Sequence, residues 1–170
     1  RQLTHRETSG VKLDEVIPPR PPVMCAGCPH RGLFYTLAKN KLTVLGDIGC
    51  YTLGAVAPLG AMDSTVCMGA SISGLHGFNK AGGNEGRTVA VIGDSTFTHS
   101  GMTGLLDCVN ENANVTIVIS DNETTAMTGG QDSAGTGRIE AICAGIGVAP
   151  EHIRVVVPLK KNYEEMKQII

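Results

Sequence analysis

The sequence contains no tryptophan and only three tyrosines and three phenylalanines among its 170 residues. It also lacks any excess of positive charge, with 14 Lys and Arg against 16 Asp and Glu for a net charge of −2. Without a basic stripe or stacking aromatics, a nucleic-acid partner is not expected. No stretch reaches the ~18 consecutive apolar residues that a membrane span needs, and the N-terminus has no apolar signal core. The expected location is therefore cytoplasmic, with no membrane partner. Two nucleotide fingerprints are also missing: neither Gly-x-x-x-x-Gly-Lys-Ser/Thr nor Gly-x-Gly-x-x-Gly follows a strand-like run. No internal repeat or low-complexity tract is present.

What is there suits one globular domain with an ordinary core, 42% hydrophobic and 18% charged. Its 22 glycines follow no period. They point to tight strand-to-helix turns and to close approach of backbone to a ligand. Six cysteines in a chain with a good core and no signal sequence argue against a disulfide framework. Cys108 and Cys143 fall in apolar, helix-like segments and read as small buried thiols. Cys25, Cys28, Cys50 and Cys67 border loops, and their roles stay open.

Residues 1–24 are polar and then proline-rich, with Pro18, Pro19, Pro21 and Pro22 favouring extended backbone, so they read as a linker or N-terminal extension. Residues 25–170 form the domain. Its pattern predicts helices over Leu33–Lys39, Val66–Ala81, Gly101–Asn110, Ile139–Gly147 and Tyr163–Ile170. Strands are predicted at Leu42–Leu45, Thr88–Ile92, Asn114–Ser120 and Ile153–Val157, with a turn at Gly82–Gly86 and an irregular glycine-rich loop over Ala126–Gly137. This order gives an α/β fold, a three-layer arrangement of a parallel sheet with helices on both faces.

Two of these strands empty into oxygen-rich loops, Gly93-Asp94-Ser95-Thr96-Phe97 and Asp121-Asn122-Glu123-Thr124-Thr125. Asp94 and Asn122 are 28 positions apart, enough for one strand-helix-strand crossover to bring them together at the carboxyl edge. Their side chains, with a main-chain carbonyl near Thr124, supply the hard oxygens that suit Mg²⁺ bridged to phosphate. The helix after Asp94, capped by Thr98 or Ser100, would offer its positive end to a diphosphate. Met127 has an alternative reading as a hydrophobic plug over the sheet edge. The Cys25-x-x-Cys28 pair suits a metal centre, a redox couple or incidental thiols. Cys50, in the loop after the first strand, shifts the balance toward a metal centre; the counter-reading is that Gly46 and Gly49 make a tight turn with Cys50 packed beneath it. His30 and His99 are candidate pocket residues or structural hydrogen-bonders; His76 reads as structural.

The joint pattern resembles the thiamine diphosphate-binding domain of the 2-oxoacid:ferredoxin oxidoreductase family. The resemblance rests on Cys25-Ala26-Gly27-Cys28-Pro29-His30-Arg31-Gly32, Gly46-Asp47-Ile48-Gly49-Cys50-Tyr51-Thr52, Met68-Gly69-Ala70-Ser71 and Gly93-Asp94-Ser95 followed by Asp121-Asn122. It covers about residues 20–170 and leans toward the indolepyruvate branch. It implies that Asp94 and Asn122 hold Mg²⁺ with the Thr124 carbonyl, and that Cys25, Cys28 and Cys50 are three ligands of a [4Fe-4S] cluster. Gly49, Cys50, Tyr51, Gly69, Gly93, Ser95, Thr96, Thr125, Ala126, Met127 and Thr128 would complete the surroundings of the thiamine diphosphate. Ser95 and Asp121 replace the family's commoner Gly and Asn, and its fourth cluster cysteine lies beyond the end of this sequence.

The implied reaction is oxidative decarboxylation of an aryl pyruvate such as indolepyruvate to an acyl-CoA, with electrons passed to ferredoxin. Implied partners are a pyrimidine-binding domain carrying the activating glutamate, a ferredoxin-like domain, a second subunit or further copy, and ferredoxin. Two other readings of the residues remain: a non-redox thiamine diphosphate domain of decarboxylase type, and a cysteine-metal electron-transfer module whose central loops are only turns.

Overall fold

The computed structural model describes residue 16, residues 18–82 and residues 86–170. Most of the expected N-terminal extension, 1–15 and 17, lies outside the described residues, as does the middle of the turn expected at Gly82–Gly86.

The architecture is built around β3. Before it come α1 (His30–Asn40), β1 (Thr43–Gly46), β2 (Ser64–Thr65) and α2 (Ala70–Lys80); β3 itself is Thr88–Gly93, and all six of its residues are buried. Strand alternation sends Val89 and Val91 to one face, where they pack with Leu33, Phe34 and Leu37 of α1. Ala90 and Ile92 face the other way, against Ile72 and Leu75 of α2. Both faces are covered, which is why this strand reads as a continuous apolar run. Each fully buried Val or Ile contributes about 1.5–3 kcal/mol of hydrophobic stabilisation.

After β3 the chain forms α3 (Asp94–Thr96), a π-helical turn (Phe97–Gly101), α4 (Met102–Asn110) and β4 (Thr116–Ser120). A small antiparallel pair follows, β5 (Thr124–Thr125) with β6 (Gln131–Asp132), then α5 (Ile139–Ile146) and α6 (Tyr163–Ile169). The main sheet has the order β2-β1-β3-β4 with every pair parallel. Helices on both faces complete the expected three-layer α/β arrangement. From β1 the chain moves outward to β2, whereas from β3 it moves outward on the other side to β4. The order therefore reverses between β1 and β3, and the crevice at their carboxyl ends is where open α/β sheets take ligands.

Several sequence expectations change, beginning with the helix expected over Val66–Ala81, which opens at Ala70, and the one expected from Leu33, which opens at His30. The helix expected from Gly101 begins seven residues earlier, at Asp94. Phe97 is fully buried and draws the turn into the core, and Thr98 Oγ bonds back to the Asp94 and Ser95 carbonyls (3.2 and 3.1 Å) instead of capping a later start. Ile153–Val157 forms no strand: β-branched residues favour extension, but a strand needs a ladder partner, and Val155 and Val157 remain exposed. The two-residue β2 is too short and polar to announce itself. The glycine-rich loop after β4 holds the β5–β6 pair and one 3₁₀ turn at Ala126–Thr128.

Cys108 and Cys143 lie in the second core cluster as expected, and burial pushes both thiols up. His76 is a helix-bridging residue: its Nδ1 meets Asp107 Oδ2 at 3.0 Å, one turn from the exposed Lys80–Glu111 ion pair at 2.7 Å, so two contacts join α2 to α4.

Gly93 has a definite steric reason to be glycine, because a Cβ there would lie 2.4 Å from Tyr51 Cε1. Gly93→Ala is expected to cost about 1–3 kcal/mol in urea unfolding, and most of that cost should vanish in a Tyr51→Leu background. Equal costs in the two backgrounds would contradict the steric account.

Candidate cofactor site at the carboxyl edge

β1 and β3 end in the same dipeptide, Gly46-Asp47 and Gly93-Asp94, and both aspartates are buried. Their surroundings differ. Asp47 accepts main-chain N–H bonds from Ile48 (2.8 Å) and Gly69 (2.9 Å) on Oδ1 and from Ser71 (3.0 Å) on Oδ2. Asp94 keeps one oxygen, Oδ2, buried with no hydrogen-bond partner. Burial pushes the Asp94 carboxyl up; the Ser95 amide and the Ser133 hydroxyl draw it down, and the nearby Asp121 carboxylate adds to the rise. A buried anion without its full complement of donors is costly, and a bound cation removes that cost.

The loops after β1 and β3 are bolted together. The Ile48 carbonyl accepts both Tyr51 Oη (2.9 Å) and Thr96 Oγ (3.0 Å). The Tyr51 ring packs over Gly49 and Gly93, where Cβ atoms would come within 2.3 and 2.4 Å of it. Burial drives its phenol up to about 12. Tyr51 therefore serves beneath the loops and is closed to solvent.

The third loop arrives through strand register. Gly93 pairs with Ser120, so Asp94 and Asp121 each stand one residue past a paired position. Ser95 Oγ and Thr125 Oγ, 2.7 Å apart, join the two loops. Glu123 adopts φ +60°, a left-handed conformation that costs a non-glycine residue of order 1 kcal/mol. It is held there by its amide on Asp121 Oδ1 (2.9 Å) and its carbonyl under the Ser133 amide and the Thr136 hydroxyl. The turn carries Asn122 and Thr124 past the Asp94 end of β3. Beyond it Ala126, Met127 and Thr128 are exposed; Met127 at 73% exposure does not plug the sheet edge, because its 3₁₀ turn carries it away from the core.

The cysteines gather less tightly. Cys25 is exposed, while Cys28 and Cys50 are half-buried. Burial pushes the Cys50 thiol up, and Cys28 and Cys25 are near enough to raise it further. Among the described residues no group of three or more His, Cys, Asp or Glu side chains is arranged to hold a metal ion. Cys67 is exposed on the loop after β2. His30 opens α1, is buried, and shares a hydrogen bond between its Nδ1 and Ser120 Oγ; burial holds its imidazole below the usual value. It links the cysteine loop to the end of β4. His99 is exposed in the π-helical turn.

Sequence reasoning missed Asp47, Ser71 and Ser133. The repeated Gly-Asp at two strand ends was the available signal for Asp47.

Residues 47–155 match the family described as thiamine pyrophosphate enzyme, C-terminal TPP binding domain. The chain belongs to the thiamine pyrophosphate enzymes. It is 39% identical over 186 aligned positions to the indolepyruvate oxidoreductase subunit IorA of Pyrococcus horikoshii, covering 94% of this chain and 28% of that protein. The IorA subunit of Thermococcus kodakarensis gives the same figures, and that of Archaeoglobus fulgidus is 43% identical over 175 positions, with 94% and 27% covered. The chain thus spans little more than a quarter of the length of these relatives. No solved structure matches it significantly. As a TPP-binding domain, the chain is no longer well described as a cysteine module whose central loops are only turns. Among the described residues no helix is long and apolar enough to cross a membrane.

A buried Asp94 with a raised pKa favours folding below the unfolded-state value and loses that contribution as pH rises through the folded one. Without cofactor, Asp94→Asn should therefore be more stable than the parent at neutral pH, by up to about 1–3 kcal/mol. The gain should disappear on acidification through the carboxylate range. Melting curves against pH test this; no gain at neutral pH would contradict it.

Proposed function

We propose that this chain holds the Mg²⁺-diphosphate end of thiamine diphosphate in a 2-oxoacid:ferredoxin oxidoreductase acting on an aryl pyruvate such as indolepyruvate. The observation that carries the reading is the unpartnered, buried Asp94 Oδ2 at the carboxyl edge, where register sets the end of β4, and with it the loop of Asn122 and Thr124, alongside the end of β3. One carboxylate, one amide oxygen and one main-chain carbonyl leave room for phosphate oxygens in an octahedral Mg²⁺ shell. That set is made of hard oxygens, two of them from groups other than His, Cys, Asp and Glu, which is compatible with there being no cluster of those four residue types among the described residues.

In this reading Asp94, Asn122 and the Thr124 carbonyl bind the cation. Amides at the start of α3 face the diphosphate, with Ser95 and Thr125 fixing the two loops to one another. Gly49, Cys50, Gly69, Gly93, Thr96 and the exposed Ala126-Met127-Thr128 turn border the remaining cofactor; Tyr51 supports from below. The bound cofactor supplies the carbanion stabilisation that decarboxylation of a 2-oxo acid needs. His30, hydrogen-bonded and buried, positions the cysteine loop and is not placed to exchange protons with bulk solvent.

The names of the relatives support oxidoreduction of indolepyruvate, and the quarter of their length that this chain spans supports a partnership with other domains or subunits. On the proposed reading these partners are a pyrimidine-binding domain, a ferredoxin-like domain and ferredoxin. Cys25, Cys28 and Cys50 fit a [4Fe-4S] cluster only in part, supplying three of the four ligands such a cluster takes. Their loose spacing favours a second reading, a non-redox thiamine diphosphate domain with passive thiols. Anaerobic iron and sulfide analysis of the full enzyme separates the two, since only the redox reading requires both elements in step with these cysteines.

Calorimetry with thiamine diphosphate and Mg²⁺ is expected to give binding that Asp94→Ala weakens by at least about tenfold, ~1.4 kcal/mol; unchanged affinity would overturn the reading. The isolated chain should not turn over indolepyruvate, and steady-state turnover would contradict its assignment as half of a site.

A further inference from the structure

Asp47 is a fully buried carboxylate with no cationic side chain among its hydrogen-bond partners. Leaving such a charge uncompensated would cost several kcal/mol. Its three main-chain donors come from two separate elements: Ile48 from the loop after β1, and Gly69 and Ser71 from the N-terminal end of α2, whose dipole adds to the compensation. The Asp47 carbonyl also accepts Thr52 Oγ (2.7 Å), and that hydroxyl in turn accepts the Gly49 amide (3.0 Å). Gly69 sits at φ +87° with the Ser100 carbonyl 2.6 Å from where a Cβ would be, so the chain of contacts continues from α2 into the helix that follows Asp94.

We propose that Asp47 is a positioning residue of the cofactor site. Its carboxylate fixes the Gly49–Tyr51 loop against the start of α2, which holds Tyr51 beneath Gly93 and Cys50 beside Cys28 before any cofactor arrives. The inference rests on the thiamine diphosphate reading and adds to it a residue that never touches the cofactor. Asp47 accepts on both oxygens; in Asp47→Asn the amide N–H₂ would face one or more N–H donors and at least one bond would become a repulsion.

The test is the dissociation constant of thiamine diphosphate with Mg²⁺, measured by calorimetry on the full enzyme stripped of cofactor. Asp47→Asn should weaken binding by about tenfold or more, the usual scale for groups that orient a site from behind. Thr52→Val, which deletes only the hydroxyl bridging Asp47 and Gly49, should weaken it in the same direction and decides the matter if Asp47→Asn does not fold. Asn79→Ala removes the buried Thr88–Asn79 hydrogen bond (2.9 Å) at the opposite edge of the sheet and serves as the control for stability alone. It should lower the melting temperature and leave the dissociation constant unchanged. Parent-like affinity in the Asp47 and Thr52 variants, or an equal loss in Asn79→Ala, would overturn the positioning role while leaving the cofactor assignment intact. A parent enzyme that does not bind thiamine diphosphate would overturn both.

Discussion

A carboxylate taken out of water must find donors or a cation, and this requirement organises the ligand edge of the molecule. Two strands end in Gly-Asp, and the protein meets the requirement internally for one aspartate and only partly for the other. Asp47 receives three backbone donors and becomes a fixed point of the scaffold. Asp94 retains a bare oxygen, and its raised pKa records the cost. That difference is what makes Asp94, and not Asp47, the candidate for holding a cation.

The scaffold that imposes this contrast is the parallel sheet closed on both faces. Burying every residue of β3 fixes its carboxyl end rigidly, and register then brings the end of β4 alongside it. The Tyr51 ring over two glycines and the doubly used Ile48 carbonyl tie the loops after β1 and β3 to one another. The left-handed Glu123 belongs to the same edge, in the turn that joins the end of β4 to β5. In the reading proposed above, such preorganisation would lower the cost of assembling a cation shell when cofactor binds.

Much of this was legible in the sequence, for identifiable reasons. Continuous apolar runs ending in oxygen-rich loops made β3 and β4 legible, and the 28-residue interval between Asp94 and Asn122 led to the expectation that both lie at one edge. The loops after β3 and β4 do lie side by side at that edge, because the two strands pair in parallel with Gly93 opposite Ser120. Less was legible where tertiary contacts decide. Nothing in the string Gly-Asp tells Asp47 from Asp94; only the arrival of Gly69 and Ser71, more than twenty residues away, does so. The helix start at Asp94 was hidden by a Ser/Thr-rich turn with poor propensity that the burial of Phe97 overrides. The extended run at Ile153–Val157 read as a strand because propensity cannot reveal whether a ladder partner exists.

The central claim is that Asp94 and the phosphates of the cofactor share one cation. Substituting Mn²⁺ for Mg²⁺ and recording electron–nuclear double resonance on the full enzyme tests it directly. The account predicts ³¹P coupling to the bound Mn²⁺ that appears with thiamine diphosphate and is lost, together with the bound metal signal, in Asp94→Ala. Bound Mn²⁺ without phosphorus coupling, or coupling that survives Asp94→Ala, would contradict it.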